Sequence, residues 1–181
     1  MKGRGIRVAY ILPTVPRFKS DKKKLDWLNA EAAASSRDPR IVAKASELVH
    51  DLAPDNWAGM AERIHAFVRD RIRYQHDPNH IEALDPTPVV LERGWDDCDG
   101  KARLAAALAQ AVGLSAKVWP MWRGPMLAHV QTAFRWPGSE KYPGAKPDGT
   151  VIGEVTIKGV RLGQDPREIE RNPETGRLPL S

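Results

Sequence analysis

Leu91-Glu-Arg-Gly94-Trp-Asp-Asp-Cys98-Asp-Gly-Lys-Ala102 runs out of a glycine-containing loop into an alanine- and leucine-rich segment. That segment carries Leu104, Leu108 and Val112 at helical spacing and stops at Gly113, a C-cap residue. Cys98 therefore sits where a loop enters a helix. Amide donors and the positive end of the dipole at a helix N-terminus favour a thiolate and draw its pKa below the free value of about 8.5. Asp96, Asp97 and Asp99 oppose this by repulsion, so a nucleophilic Cys98 needs a base beside it to take the proton. The other reading is a small buried hydrophobe, the common fate of a free cysteine, although its flanks are polar for a core residue.

Upstream the pattern is helical. Leu25 to Ala34 has helical composition, and Asp38-Pro39 supplies a cap and a first-turn proline for a helix with Ile41, Ala45, Leu48, Val49 and Leu52 on one face. A third helix is expected from Trp57 to Ile72. Tyr74 to Trp95 is loop-rich, with Asp77-Pro78, Asp85-Pro86 and Thr87-Pro88 and one short apolar turn at Val89-Val-Leu91. Downstream the period changes to two. Ala116 to Trp119 reads as a strand, and Arg123 to Ala128 as a loop. In His129 to Trp136, Val130, Thr132, Phe134 and Trp136 alternate with His129, Gln131, Ala133 and Arg135. Residues 137–149 form a hairpin-like excursion, and Thr150 to Ile157 another strand. Helices first and an antiparallel sheet last is an α+β order.

Five histidines could serve Cys98. His50 and His65 fall in amphipathic helices and read as surface or edge residues. His76 and His80 are four apart with Pro78 between them, which removes the helical metal-ligand geometry, so no metal site is expected. His129 opens a strand 31 residues after Cys98. It could reach the sulfur from a neighbouring strand, or simply be satisfied by a backbone partner.

Composition bounds these readings. The chain has 181 residues, 41% hydrophobic and 28% charged, which suits one globular domain. No apolar run approaches the roughly 20 residues of a spanning helix. Val8 to Leu12 falls short of the roughly 7–15 residues of a signal h-region, so a soluble cytoplasmic protein is expected, with no membrane partner. One cysteine excludes an internal disulfide framework and Cys-rich metal centres. The net charge of +5 is unevenly placed: residues 1–24 hold eight bases and one acid and carry +7, leaving −2 for the rest. The expected organisation is a basic arm over 1–24, a domain over 25–166 and an irregular polar tail over 167–181. The arm could dock on an acidic surface or an assembly partner, but no nucleic-acid reader motif accompanies it.

Several segments together resemble the transglutaminase-like superfamily, most closely its compact bacterial and phage members. They are Arg71-Ile-Arg-Tyr74-Gln-His-Asp77-Pro, Glu82, Pro86 and Pro88, Leu91 through Ala102, Val112-Gly113-Leu and His129-Val. The resemblance covers roughly residues 38–166. It implies a papain-like core, with Cys98 as nucleophile at the start of a central helix, His129 as base and an acid on the next strand. Members usually carry that acid as Asp in Leu-Asp-Pro-Thr. Here the matching stretch is Ile152-Gly-Glu154 through Asp165-Pro166, with Glu154 at the acid position, 25 residues after His129. Asp148 and Asp165 are the alternatives. The Cys98 amide would be one oxyanion donor and Trp95 or Gln75 would offer the second, with Tyr74 also at the substrate site. No cofactor is implied. A peptide or protein amide substrate, a thioester intermediate and hydrolysis, as in a cysteine peptidase or amidase, are expected. Attack by a lysine amine would instead make a cross-linking transglutaminase, and a non-catalytic assembly module, as in a phage particle, is the reading from another class.

Overall fold

The computed structural model describes residues 18–76 and 84–166. Three helices come first, α1 (Asp21–Ser35), α2 (Pro39–Val49) and α3 (Trp57–Arg71), followed by the two-residue strand β1 (Arg73–Tyr74). Helix α4 (Thr87–Arg93) and strand β2 (Trp95–Asp96) lead into the central helix α5 (Cys98–Ala111). Strands β3 (Ser115–Arg123), β4 (Met126–Arg135) and β5 (Val151–Gly153) then form one antiparallel sheet in that order. The α+β expectation holds. The parallel pair β1–β2, which was not expected, sets Arg73 opposite Trp95 and Tyr74 opposite Asp96.

Helix α5 is the axis of the fold, buried from Asp99 to Ala109. Its alanines at 102, 105, 106, 107 and 109 keep it thin enough to touch the other four helices as well as β3 and β4. Two long cations lie in this buried run, and each is explained by what it reaches. Lys101 donates to the carbonyls of Ile72 and Arg69 at the end of α3, satisfying acceptors that a helix C-terminus leaves open. Burial draws this ammonium down to about 8. Arg103 lies 3.2 Å from Glu31 of α1, stacks near Trp27 and donates through Nε to the Asp99 carbonyl. Its contact with Glu31 lies off the line of a hydrogen bond, so neither Arg103 Nη is hydrogen-bonded among the described residues. Glu31 also accepts from Ser35 and from the amide and hydroxyl of Thr87, which ties α1, α4 and α5 together.

Several boundaries differ from expectation. Helix α1 begins at Asp21 rather than Leu25, because Ser20 caps it by accepting from Lys23 N–H, so Lys22, Lys23 and Lys24 form its first turns. The apolar turn at Val89–Leu91 is the body of α4, with Pro88 at its start and Gly94 closing it in the left-handed region (φ 75°). Strand β4 starts at Met126, not His129, pairing back onto Arg123 after a two-residue turn. Thr150 to Ile157 is a strand only over Val151–Gly153. In place of a hairpin, residues 137–149 contain a short 3₁₀ turn, Ser139–Lys141, held by Ser139 donating to the Gly149 carbonyl at 2.7 Å. His80, Glu82, most of the basic arm and the tail lie outside the described residues.

The faces of β4 divide the work. Val130, Thr132 and Phe134 are buried, and Thr132 donates to the Ala102 carbonyl of α5. His129 and Gln131 fall on the opposite face, across from Met121 and Trp119 of β3. Helix α1 lies against both strands of this hairpin: Asn29 accepts from Val118 N–H of β3 at 2.8 Å, and Asp21 from Leu127 N–H of β4 at 2.7 Å.

Candidate active site

Cys98 is the first residue of α5 because Asp97 caps the helix, accepting from the N–H groups of Asp99 (2.9 Å) and Gly100 (3.3 Å). Gly100 has no side chain because a Cβ there would fall 2.1 Å from Asp96 Oδ2. Asp96 cannot yield, since it is buried, paired with Arg93 at 3.0 Å, and accepts from the Asp97 amide at 2.8 Å. Arg93 in turn lies over the Trp95 ring, 3.7 Å from its centroid. The run Trp95-Asp-Asp-Cys-Asp-Gly100 thus reads as a ring under a guanidinium, a buried acid, a cap, a thiol, a second buried acid and a close approach.

The thiol donates to Asp99 Oδ1 at 3.7 Å, and the Val130 amide of β4 lies beside the sulfur. It therefore lies against β4 beside the residue that follows His129. Lys24 of α1 reaches the far oxygen of Asp99 at 2.6 Å. Burial, and then the carboxylates of Asp99 and Asp97, push the thiol well above its usual range, while the Val130 amide and Lys24 pull the other way. This opposes the lowering expected from the helix N-terminus alone. The resting side chain is a thiol, not a thiolate.

His129 Nε2 meets Glu154 Oε2 at 2.8 Å. An ionised carboxylate can only accept, so Nε2 carries the proton, and the free acceptor of the neutral ring is Nδ1. Burial alone would raise the Glu154 carboxyl. Hydrogen bonds from His129 and Thr156 outweigh burial and hold it at about 2. Behind Glu154, His65 Nε2 donates to the Glu154 carbonyl at 2.8 Å. His65 is buried, contrary to the surface position expected from its helix, and burial lowers it to about 4. Gly153 is glycine because a Cβ would sit 2.8 Å from both the His65 ring and the Phe134 ring.

A cavity of about 730 Å³ opens on this face of the sheet, lined by Trp119, Met121, His129, Gln131, Glu154 and Tyr74 and bordered by residues 163–166. Burial raises the Tyr74 phenol to about 12, helped by the nearby Cys98, Asp97 and Asp99. Asp165 stands on the border of the cavity, while Asp148 accepts from Thr150 N–H inside its own turn. The Gln75 amide, a candidate oxyanion donor, is already bonded to the Asp96 carbonyl at 3.0 Å. The Cys98 N–H belongs to the first turn of α5, whose amides have no acceptor within their own helix. Asp97, Cys98 and Asp99 bring ligand atoms within 4.8 Å of one another, but Asp97 serves as the cap and Asp99 faces Lys24.

The model of the transglutaminase-like superfamily matches residues 43–155, more than half of the chain. The chain belongs to the transglutaminase-like superfamily. In solved structures, it is similar to the crystal structure of a "putative protease" from Parabacteroides distasonis ATCC 8503, with a TM-score of 0.52 and 14% identity. The likeness covers 67% of this chain but only 26% of that one, so the present chain spans about a quarter of that protein and shares its fold. No curated protein matches. Among the described residues, no helix is long and apolar enough to cross a membrane.

The extra methylene that Glu154 has over an aspartate is taken up locally. Oε1 turns back to accept from both the N–H and the hydroxyl of Thr156, at 2.7 and 2.5 Å. Sequence reasoning missed Thr156, Gln131, His65 and Lys24. For His65 a signal existed: Ala61, His65, Val68 and Ile72 form one buried helical stripe.

Proposed function

We propose that this chain is a thiol-dependent acyl-transfer enzyme that hydrolyses peptide or protein amides, with Cys98 as nucleophile, His129 as base and Glu154 orienting it. The observation that carries this reading is the Glu154 contact on His129 Nε2, which leaves Nδ1 as acceptor on the residue next to the one whose amide meets the Cys98 sulfur. A resting thiol suits general-base activation, in which the proton leaves the sulfur only as the nucleophile attacks. Cys98 Sγ bonds to the amide carbon, its proton passes to His129 Nδ1, and the carbonyl oxygen becomes an oxyanion facing the Cys98 N–H. The C–N bond then breaks, His129 returns the proton to the leaving amine, and a thioester remains. Water, deprotonated by the same imidazole, releases the acid and restores the thiol. Glu154 stays ionised throughout and stabilises the transient imidazolium. The cavity that His129 and Glu154 line with Trp119 and Tyr74 is the place for the substrate in this reading.

Water is the acceptor in this reading, and Gln131, Gln164 and Asp165 give the cavity polar groups that can hold it. The test incubates the full chain with a lysine-blocked casein and a biotinylated primary amine, and follows both free amine and protein-bound biotin. New free amine without bound biotin is expected. Bound biotin would make the enzyme a cross-linker. Neither product would favour the non-catalytic assembly module, the reading that gives the basic residues 1–24 a docking role in a particle.

A further inference from the structure

Glu154 is held from five directions. Thr156 N–H and Oγ1 reach its Oε1 at 2.7 and 2.5 Å, and His129 and Gln131 reach its Oε2 at 2.8 and 3.1 Å. His65 takes its carbonyl oxygen at 2.8 Å. The side chain is 2% exposed, so no water competes for these oxygens. A glutamate in place of an aspartate has one more rotatable bond, and a mobile carboxylate would let the imidazole swing. Thr156 removes that freedom by holding Oε1 with its own N–H and hydroxyl, and Gln131 fixes the remaining oxygen from the same strand as His129.

We propose that Thr156 and Gln131 are positioning residues: they lock the rotamer of Glu154 so that Oε2 presents a fixed acceptor to His129 Nε2–H and Nδ1 stays aimed for proton transfer. The proposal rests on the reading of His129 as the base. It also assigns the pair a specific job, which is to remove the play that the longer glutamate side chain would otherwise have. Without the Thr156 hydroxyl, Oε1 keeps only the amide and the carboxylate gains play. Without Gln131, Oε2 loses its second donor and can rotate about the His129 contact. Other titratable groups surround the pair: Tyr74 from β1, Cys98 and Lys101 from α5, His65 from α3, and Lys146 and Asp165 on the cavity. All of them are retained in the variants below.

The test is solution NMR on histidine-labelled full-length protein, following the His129 ring N–H, assigned by its loss in His129→Gln. Thr156→Val keeps the backbone amide and the shape but not the hydroxyl; Gln131→Leu removes the second donor; Thr156→Ser restores the hydroxyl. Solvent exchange of the His129 Nε2 proton is expected to quicken about tenfold in Thr156→Val and in Gln131→Leu, the size of one hydrogen bond's net contribution. In Thr156→Ser it returns to the wild-type rate. On amide substrate the first two variants lower kcat with KM unchanged, and Thr156→Ser does not. A merely structural role would lower the melting temperature without moving the exchange rate. Unchanged exchange in both folded variants, or no rescue by Thr156→Ser, would overturn the proposal. Because the ring proton is read without substrate, a failure of amide hydrolysis leaves this result interpretable on its own.

Discussion

Cys98→Ser is expected to remove amide hydrolysis almost completely, with a loss on the order of 10⁵–10⁶-fold, as when a covalent nucleophile that acts in a unit with its base is deleted. A serine hydroxyl is a far weaker acid than a thiol, and this site makes any anion at position 98 dearer still. Burial and the carboxylates of Asp97 and Asp99 already push the thiol up, against only the Val130 amide and Lys24. An alkoxide would meet the same opposition from a higher starting point. No second thiol can substitute, because Cys98 is the single cysteine. The variant differs by one atom at the helix start, where Asp97 still caps the first turn, so its melting temperature should stay within a few degrees of wild type. Amine release from lysine-blocked casein checks this; retention of more than about a tenth of the wild-type rate would remove Cys98 from the chemistry.

The second large effect is on stability. His65 is neutral and buried in the folded protein, donating to the Glu154 carbonyl, with burial lowering it from 6.5 to about 4. In the unfolded chain it takes up a proton at its ordinary value. A group with a depressed folded pKa contributes stability that is complete above the unfolded value and is lost as pH falls toward the folded one. The window is therefore pH 6.5 down to about 4, and the loss across it is about 3 kcal/mol. Glu154 extends the same trend below it, from 4.5 down to about 2. For a chain of this size about 3 kcal/mol corresponds to roughly 6–12 °C in melting temperature. Thermal melts at pH 7.5 and pH 4.5 should show a drop of that order. His65→Gln keeps a side-chain donor for the Glu154 carbonyl and does not titrate, so it should flatten the drop. An equal drop in wild type and variant would mean that His65 is not the linked group.

Local signals carried some of this structure and not the rest. The Asp38-Pro39 cap marks α2, and the Cys98–Gly113 pattern marks α5, because cap chemistry and apolar spacing are written within a few residues. Helix α4 was hidden by Pro86 and Pro88, which oppose a helix interior but are tolerated at its first turn. Strand β5 ends early because Glu154 turns its carboxylate onto Thr156, a contact no alternation of residue types reveals. Buried Arg103 pairs with the half-buried Glu31 far away in sequence, so nothing near Arg103 announces it as internal. At the site, the place of Cys98 at a helix start and of His129 on a strand was legible. Burial of His65 and the grip of Gln131 and Thr156 on Glu154 were not, since they depend on which faces the sheet and α3 turn toward each other.

A thiol pushed upward by burial and flanking carboxylates can react near neutral pH only if a neighbouring base takes its proton. That makes His129 the point at which the account is most exposed. With one cysteine, the rate of iodoacetamide alkylation reports Cys98 alone, and it should be measured from pH 4 to 10 in wild type and in His129→Ala. Appreciable alkylation of the wild type at neutral pH is expected, with at least a tenfold slower rate in His129→Ala, whose reactivity returns only at strongly alkaline pH. Superimposable profiles for the two proteins would contradict it: the imidazole would then play no part in activating the sulfur.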